Sequence, residues 1–290
     1  MNRSYSIFML SSQALQEAPL IRKSALLFFT IVFATFLVGC QTRLGSQSTA
    51  NMENMDLDSL SKHIAAGDVS GGKGYNTRGV AYARRNQFND ALSDFDKAIS
   101  ITPQSPKAYT NRALILLRMG RTEEALQSAS KAIAVDPSYA PGYIARAHAL
   151  RLLGRFEPAL EDANKAIRLN PESAYALHAR GLIYQRANDC DHAILDFTAA
   201  NDRDPYAAPP YIGQGECELV RGRYKKAIED FNAALNVDSR NGRVWMNRGQ
   251  AYEQLGDMAQ ASLSYKNAIS FDSTLSAARQ GLGRVGSGRN

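Results

Sequence analysis

The sequence predicts an all-α protein, a solenoid of six stacked helical hairpins over residues 72–275, and three rows of residues carry that prediction. Each row repeats every 34 residues with no insertion or deletion. Two rows are alanine: Ala91, Ala125, Ala159, Ala193, Ala227 and Ala261, and Ala98, Ala132, Ala166, Ala200, Ala234 and Ala268. The third holds only glycine or asparagine: Asn86, Gly120, Gly154, Asn188, Gly222 and Gly256. A fixed period of this length is typical of repeat proteins, in which each unit buries its apolar face against its neighbours.

The composition of the 290 residues is that of a globular chain, with 44% hydrophobic and 21% charged residues. Three cysteines are too few for a disulfide scaffold. The formal net charge of +6 includes three basic residues and one acidic residue that precede Cys40, so a chain beginning at this cysteine is less basic. The composition therefore gives no support for a nucleic-acid partner.

Residues 1–39 have the organisation of an export signal. Arg22 and Lys23 precede an uncharged, largely apolar run over residues 24–38, which is shorter than the ~20 residues that a membrane span needs. A basic region, a short apolar region and small residues at its end are typical of a secretory signal peptide. A signal anchor that happens to end in cysteine is the alternative.

The end of this signal, Leu37-Val38-Gly39-Cys40, resembles the lipobox of bacterial lipoproteins. The resemblance implies that Cys40 is acylated and becomes the new N-terminus, whether the chain starts at Met1 or at Met9. Because Gln41 and not aspartate follows the cysteine, the resemblance also implies anchoring in the outer membrane, facing the periplasm. Two or more acyl chains hold a protein stably on a membrane.

The segments on either side of the repeats are short. Residues 40–71, rich in small polar residues, are interpreted as a lipidated N-terminus and flexible tether, with a short helix over residues 55–66 inside it. Residues 276–290 are expected to form a short helix to about residue 283 and then a frayed tail, because glycines follow.

Each row has a physical reason within the hairpin. The glycine or asparagine row lies where one helix turns back into the next, a left-handed backbone position that these residues tolerate. A further row is aromatic except for one leucine: Tyr75, Tyr109, Tyr143, Leu177, Tyr211 and Trp245. Another holds only small residues: Gly79, Ala113, Ala147, Gly181, Gly215 and Gly249. Small residues let helices approach closely, and Pro103, Pro137, Pro171 and Pro205 end the first four repeats.

Together these rows resemble the tetratricopeptide repeat (TPR), over 204 of the 290 residues. The resemblance implies helical hairpins stacked into a right-handed superhelix with a concave and a convex face. It also implies that the first helix of each hairpin lines the concave face.

No catalytic constellation is found in the sequence, which predicts a protein that is not an enzyme and has no cofactor or metal. His148 and His178 fall on neighbouring first helices, but two histidines are too few for a metal site. Cys190 and Cys217 fall in mainly apolar rows. The sequence is compatible with two packed thiols and also with a disulfide between them.

Charged rows predict pairing between helices. One row is arginine in five of the six repeats: Arg78, Arg112, Arg146, Arg180 and Arg248. The row 16 residues later is aspartate in four of the repeats: Asp94, Asp162, Asp196 and Asp230. Gln214 interrupts the arginine row. Glu218 and Arg203 interrupt two apolar rows at one junction, which predicts a mutual pair or, alternatively, an open and hydrated hinge.

The expected concave face is the candidate site. Its residues are Lys73, Asn76, Arg84, Lys107, Leu114, Leu117, Arg118, Ile144, His148, Arg151, Tyr175, His178, Leu182, Arg186, Ile212 and Leu219, and the same face carries Leu152, Gln185, Glu216, Val220 and Glu253. This face is basic over four repeats, has an apolar middle and gains acids at its C-terminal end, which suits a protein segment with apolar anchors and negative charge. A merely solvated face is the alternative. The family's C-terminal carboxylate clamp is absent, because Asn76 and Val80 stand where its lysine and asparagine belong.

These observations predict a non-enzymatic adaptor that binds protein or peptide partners in the cell envelope. The chain resembles the NlpI-type lipoproteins, which implies docking of cell-wall hydrolases or other envelope machinery. The alternative is an assembly factor for a type IV or Tad pilus secretin. The sequence leaves the oligomeric state open.

Overall fold

The computed structural model describes residues 56–67 and 71–287, which form fourteen helices and no strand. In chain order they are α1 (Leu57–Ala66), α2 (Lys73–Arg84), α3 (Phe88–Ile101), α4 (Pro106–Arg118), α5 (Thr122–Val135), α6 (Ala140–Leu152), α7 (Phe156–Leu169), α8 (Ala174–Arg186), α9 (Cys190–Arg203), α10 (Ala208–Val220), α11 (Tyr224–Val237), α12 (Gly242–Gln254), α13 (Met258–Phe271) and α14 (Ser276–Ser287).

Helices α2 to α13 form six hairpins, each with a first helix of 12 or 13 residues and a second helix of 14. Each second helix packs on its own first helix and on the first helix of the next hairpin. This stacked arrangement is the TPR superhelix, which confirms the predicted fold class.

The turn inside each hairpin depends on a left-handed residue. Asn86 and Asn188 have φ of 59° and 62°, and the four glycines of the same row have φ between 71° and 81°. Most L-residues avoid this region, whereas glycine enters it without steric cost and asparagine tolerates it. The predicted turn row is therefore confirmed at every hairpin.

Aromatic rings of the second helices lie against the small residues of the first. Phe95, Phe197, Phe231 and Tyr265 are fully buried. A Cβ atom on Gly181 would lie 2.6 Å from the Phe197 ring, inside van der Waals contact. The four glycines of the small row thus make room for a ring between two helices, and in those four hairpins this contact forms the centre of the core.

The N-terminal flank is more ordered than predicted. Helix α1 buries Leu57 and Leu60, and the Oγ of Ser61 accepts a hydrogen bond of 3.1 Å from Nη1 of Arg78 on α2. Gly67, with φ of 75°, ends the helix. The predicted short helix is present, but over these residues the tether is a docked helix, because its apolar face covers the start of the solenoid.

The C-terminal helix is also longer than predicted. Helix α14 continues to Ser287, past the expected end near residue 283, and packs on α12 and α13. Gly281 is part of this contact, since a Cβ there would lie 2.4 Å from the Tyr265 ring. The described helices include none that is long and apolar enough to cross a membrane. The predicted signal and Cys40 lie outside the described residues.

The predicted ion pairs are confirmed in three hairpins. Arg78 with Asp94, Arg146 with Asp162, and Arg180 with Asp196 each form bidentate pairs at 2.7–2.8 Å. Each pair joins the first helix of a hairpin to its own second helix, and the aspartate is nearly buried in each case. Bidentate geometry orients the two helices with respect to each other.

The aspartate of the fifth hairpin, Asp230, has no arginine partner in the row. Gln214 stands where the arginine belongs, and Asp230 has no ion pair among the described residues. Burial first, then the charges of Glu218 and Glu229, raise the pKa of Asp230 to about 7. In the next hairpin Arg248 lacks an aspartate and instead donates to Ser264 at 3.2 Å.

The predicted pair of Arg203 with Glu218 is wrong. Arg203 lies 3.6 Å from the exposed carboxylate of Glu172, whereas Glu218 lies 3.4 Å from Nη1 of Arg223. Arg223 follows Glu218 across the hairpin turn and is therefore nearer to it in the fold. Glu218 is 3% exposed, so the alternative of an open, hydrated junction is wrong too.

Cys190 and Cys217 are free thiols in this structure. Burial first, and then contact with the Cys190 side chain, raise the pKa of the fully buried Cys217. A thiol with a raised pKa carries little thiolate and is a weak nucleophile.

Candidate protein-binding site

The first helices of the hairpins line the inner face of the solenoid. Each first helix packs against the first helix of the next hairpin, whereas no second helix packs to this extent on another second helix among the described residues. Helices that contact one another along one side of an array lie on the inside of its curve. The concave face is therefore built from α2, α4, α6, α8, α10 and α12.

The structure places most of the predicted site residues at the surface of this face. Four are exposed: Lys73, Lys107, Arg118 and Arg186. Ten are half-buried: Asn76, Arg84, Leu117, His148, Arg151, Tyr175, His178, Leu182, Ile212 and Leu219. These residues remain within reach of a bound segment.

Two predicted site residues, Leu114 and Ile144, belong to the core instead. Leu114 packs in a cluster with Ala145 on the next first helix, and Ile144 packs with Ala176 on the one after. Alanines at these contacts allow the first helices to approach so closely that they cover the larger side chains. The exposed apolar side chains of the face are Leu152 and Val220, at 50% and 82% exposure.

Acids at the C-terminal end of the face are already bound by the protein. Glu216 accepts hydrogen bonds from the side-chain amides of Gln185, at 3.0 Å, and Asn247, at 3.2 Å. Glu253 accepts two hydrogen bonds from Arg284 of α14, at 2.7 and 2.9 Å. The Arg284 guanidinium holds the pKa of Glu253 below its usual range. These acids thus offer less free negative charge than the sequence suggested.

Sequence reasoning missed two asparagines of this face, Asn111 and Asn247. Asn111 donates to the side chain of Asn76 at 3.0 Å, and Asn247 binds Glu216 as described above. Both stand in a row whose other members have no charge and are mostly small: Thr77, Ala145, Ala179 and Gly213. The sequence signal that could have identified Asn111 and Asn247 is a side-chain amide in a row that is otherwise mostly small.

Arginines follow one another along the first four first helices at the concave face: Arg84, Arg118, Arg151 and Arg186. The Arg118 guanidinium lies over the Phe88 ring, 5.5 Å from its centroid. The Nε atoms of Arg84 and Arg151 are buried and have no hydrogen-bond partner within the described part of the chain. A buried donor without a partner costs free energy, so both atoms favour an added acceptor.

Five interacting side chains of this face on α6 and α8 form what we call the central cluster: His148, Arg151, Tyr175, His178 and Arg186. The Tyr175 hydroxyl and Nε2 of His148 are hydrogen-bonded at 2.6 Å. Their ring centroids lie 5.6 Å apart, and His178 packs with its ring centroid 5.7 Å from that of Phe197.

Electrostatics in the central cluster keep both histidines neutral. Burial first, and then the charge of Arg151, lower the pKa of His148 to about 3 and that of His178 to about 4. Burial also lowers the pKa of Arg151, and the nearby Arg186 acts in the same direction. The positive charge of the cluster at neutral pH therefore belongs to its arginines. Within the described residues, no three histidine, cysteine or acidic side chains come together as a metal site.

Family profiles identify the repeats. The "TPR repeat" profile matches residues 79–120 and 218–256, and "Tetratricopeptide repeat" profiles match residues 106–139, 140–173 and 242–274. The chain belongs to the tetratricopeptide-repeat family. Together the matches cover more than half of the 290 residues, and they agree with the hairpins of the TPR structure.

Solved structures share the TPR fold at low sequence identity. A chain of the APC/C hetero-tetramer Cut9-Hcn1 matches with a TM-score of 0.73 and 17% identity, over 91% of this chain and 54% of that chain. This protein thus spans about half the length of that relative. A tetratricopeptide repeat protein from Parabacteroides merdae has a TM-score of 0.62 and 18% identity, over 79% and 90% of the two chains.

Pseudomonas aeruginosa PilF has a TM-score of 0.61 and 17% identity, over 73% of this chain and 97% of PilF. At such identities the similarity shows the fold alone. No curated protein sequence matches this chain.

Proposed function

We propose that this TPR scaffold is a periplasmic adaptor that is anchored by lipid to the outer membrane and binds a protein segment on its concave face. The observation that supports the binding role is that this face has exposed apolar side chains and buried hydrogen-bond donors without partners among the described residues. Leu152 and Val220 are exposed there, and Arg84 and Arg151 hold buried donors without partners among the described residues. Apolar anchors beside unpaired polar groups are the features of a binding surface.

The charge on the face supports a partner segment with acidic residues. Within the described part of the chain, Arg84, Arg151 and Arg186 take part in no ion pair, whereas the acids Glu216 and Glu253 are bound by amides and by Arg284. The face therefore carries positive charge that the protein itself does not neutralise. Complementary charge gives a partner both its register and faster association.

The proposed location rests on the sequence of residues 1–40. The basic, apolar and lipobox segments in this order support export and acylation at Cys40. A scaffold held at the outer membrane would meet cell-wall hydrolases or other envelope machinery. The assembly factor of a pilus secretin remains the alternative, and identifying the bound partner separates the two.

Site-specific photo-crosslinking in cells tests the binding role. A photo-reactive residue replaces Val220 or Leu152 on the concave face, or, as the control, Leu195 on the second helix α9, which is 67% exposed. We expect one and the same protein adduct from both concave positions and none from the control. Mass spectrometry then shows whether the adduct is a cell-wall enzyme or a pilus secretin. Adducts of equal yield from all three positions would contradict the proposal.

A further inference from the structure

We infer that the central cluster on α6 and α8 is a binding site for side-chain carboxylates, through which the protein selects segments that contain aspartate or glutamate. The inference rests on the proposed function, because it names the chemistry that the concave face recognises. The site combines the guanidinium groups of Arg151 and Arg186 with the Tyr175 hydroxyl and two imidazoles.

Hydrogen bonding at Arg151 favours a carboxylate ligand. Nε of Arg151 is buried and has no partner among the described residues, so one donor of a rigid guanidinium fork is unused. Arginine forks match the two oxygens of a carboxylate. The hydrogen bond between Tyr175 and His148 fixes those two side chains beside Arg151, which limits the reorganisation that binding requires.

The charges of Arg151 and Arg186 favour an anionic ligand. Arg151 and Arg186 lie near enough for each charge to act on the other, and neither takes part in an ion pair within the described part of the chain. The two histidines are neutral at physiological pH and so add no charge of their own. Two like charges without a counter-charge are costly to hold together, and a bound carboxylate relieves this repulsion.

The position of the central cluster along the concave face favours side-chain carboxylates over a chain terminus. The central cluster lies on the third and fourth of six first helices, so the concave face continues on both sides of it. A segment that follows the face passes over the cluster and presents side chains there.

The test uses an acetylated and amidated pentaglutamate, whose only carboxylates are side chains, with the full chain in a zwitterionic detergent. The site variant is Arg151→Gln with Arg186→Gln. The matched control is Arg155→Gln with Arg168→Gln, which removes the same charge from exposed positions at α7. Fluorescence anisotropy gives the affinity, and circular dichroism compares the folding of the two variants.

We expect the site variant to bind pentaglutamate roughly fivefold or more weakly than the wild type, and the control variant to bind it as the wild type does. Equal affinities in the two variants would overturn the inference. Binding of only a neutral peptide with a free C-terminal carboxylate, or of only inorganic phosphate, would overturn it as well, since both probes lack side-chain carboxylates.

A second measurement does not depend on the variants folding. In the wild type, pentaglutamate should shift the arginine Nε–H resonances of Arg151 and Arg186 and leave that of Arg168 unchanged. Unshifted resonances at Arg151 and Arg186 would overturn the inference. If pentaglutamate does not bind but Val220 still forms its protein adduct, only the carboxylate site is refuted. If neither binding nor the adduct is observed, the proposed role of the concave face as a scaffold is refuted as well.

Discussion

At the scale of single residues, Asp230 shows what a repeated ion-pair row does when one partner is lost. In three hairpins an arginine holds the equivalent aspartate at 2.7–2.8 Å, but Gln214 leaves Asp230 without that charge. Burial and the neighbouring Glu218 then raise the pKa of Asp230 to about 7 from its ordinary 3.8. The folded state therefore favours the protonated carboxyl, and folding is disfavoured where Asp230 must ionise.

This shift predicts the pH dependence of an Asp230→Asn variant. Because the folded pKa is raised, the stability that the neutral carboxyl contributes is present below about pH 4 and is lost as pH rises towards 7. Urea unfolding should show the variant more stable than the wild type at pH 8, by on the order of 1–2 kcal/mol after allowing for partial exposure. The two proteins should be equal near pH 4, and a constant difference at every pH would contradict the assignment.

The central histidines act in the opposite direction. The pKa values of His148 and His178, about 3 and about 4, lie below the ordinary 6.5, so the fold favours neutral imidazole. Their contribution to stability is present above pH 6.5 and is lost as pH falls towards 4. In the Asp230→Asn background, His148→Gln with His178→Gln should flatten the fall of stability between pH 6.5 and 4.5.

The control for the histidine variant is His63→Gln, which changes an exposed histidine on α1. This substitution should leave the slope of stability against pH as it is. An unchanged slope in the His148 and His178 variant as well would show that these imidazoles are hydrated in the folded state.

At the scale of helices, the close contacts between neighbouring elements decide both the fold and the shape of the site. Ala159 is fully buried where α7 packs in its hairpin. A larger side chain there forces the helices apart or takes a strained rotamer, at a cost of about 1–3 kcal/mol. Because the array is nearly one-dimensional, neighbouring hairpins should be the first to share the damage.

We therefore expect Ala159→Leu to lower the free energy of unfolding by that amount, with Ala134→Leu on the exposed side of α5 as the control. Hydrogen exchange measured residue by residue should show loss of protection in α6 to α9 before the terminal hairpins. Equal melting curves for the wild type and the Ala159 variant would contradict the packing described here.

Helices also show how far the sequence predicts the structure. The 34-residue rows predict α2 to α13, because each row reports one repeated backbone or packing requirement. The docking of α1 through Leu60 was not predictable in this way, since α1 lies outside the repeat pattern. The burial of Leu114 and Ile144 was not predicted. A repeat row shows on which face of the helix a residue lies, but its burial depends on how closely the next helix approaches.

Contacts between repeats were the least predictable part of the site. Glu216 is bound by Gln185 and Asn247, which stand 31 residues away on either side. Such partners share no row, so aligning the repeats does not place them together. The five residues of the central cluster were each predicted to lie on the concave face, but their grouping, their hydrogen bond and their neutral histidines follow from burial and packing.

At the scale of the whole molecule, the solenoid is closed at both described ends by a helix that stands outside the six hairpins, α1 and α14. Helix α14 also supplies Arg284 to Glu253. Terminal helices that cover the first and last repeats are what a stacked array requires to avoid exposing its core. The concave face, the proposed surface for partners, lies between these two ends.

The proposed membrane attachment concerns the whole chain and gives a further prediction. If Cys40 is acylated, Cys40→Ser should abolish the incorporation of radioactive fatty acid and release the protein from the outer-membrane fraction, or leave it as an unprocessed precursor. The buried Cys217→Ser is the matched control and should keep the label. Label retained after Cys40→Ser would refute the lipoprotein assignment.

If the positive concave face holds a protein partner, the yield of crosslinking at Val220 depends on the arginines of that face. Two double variants are compared. One carries Arg84→Glu and Arg118→Glu on the concave face, and the other carries Arg155→Glu and Arg168→Glu, an equal change of charge at exposed positions just before and within α7. The concave-face variant should lose most of the Val220 adduct while the control variant keeps it. Equal loss in the two variants would show that overall charge, and not the concave face, recruits the partner.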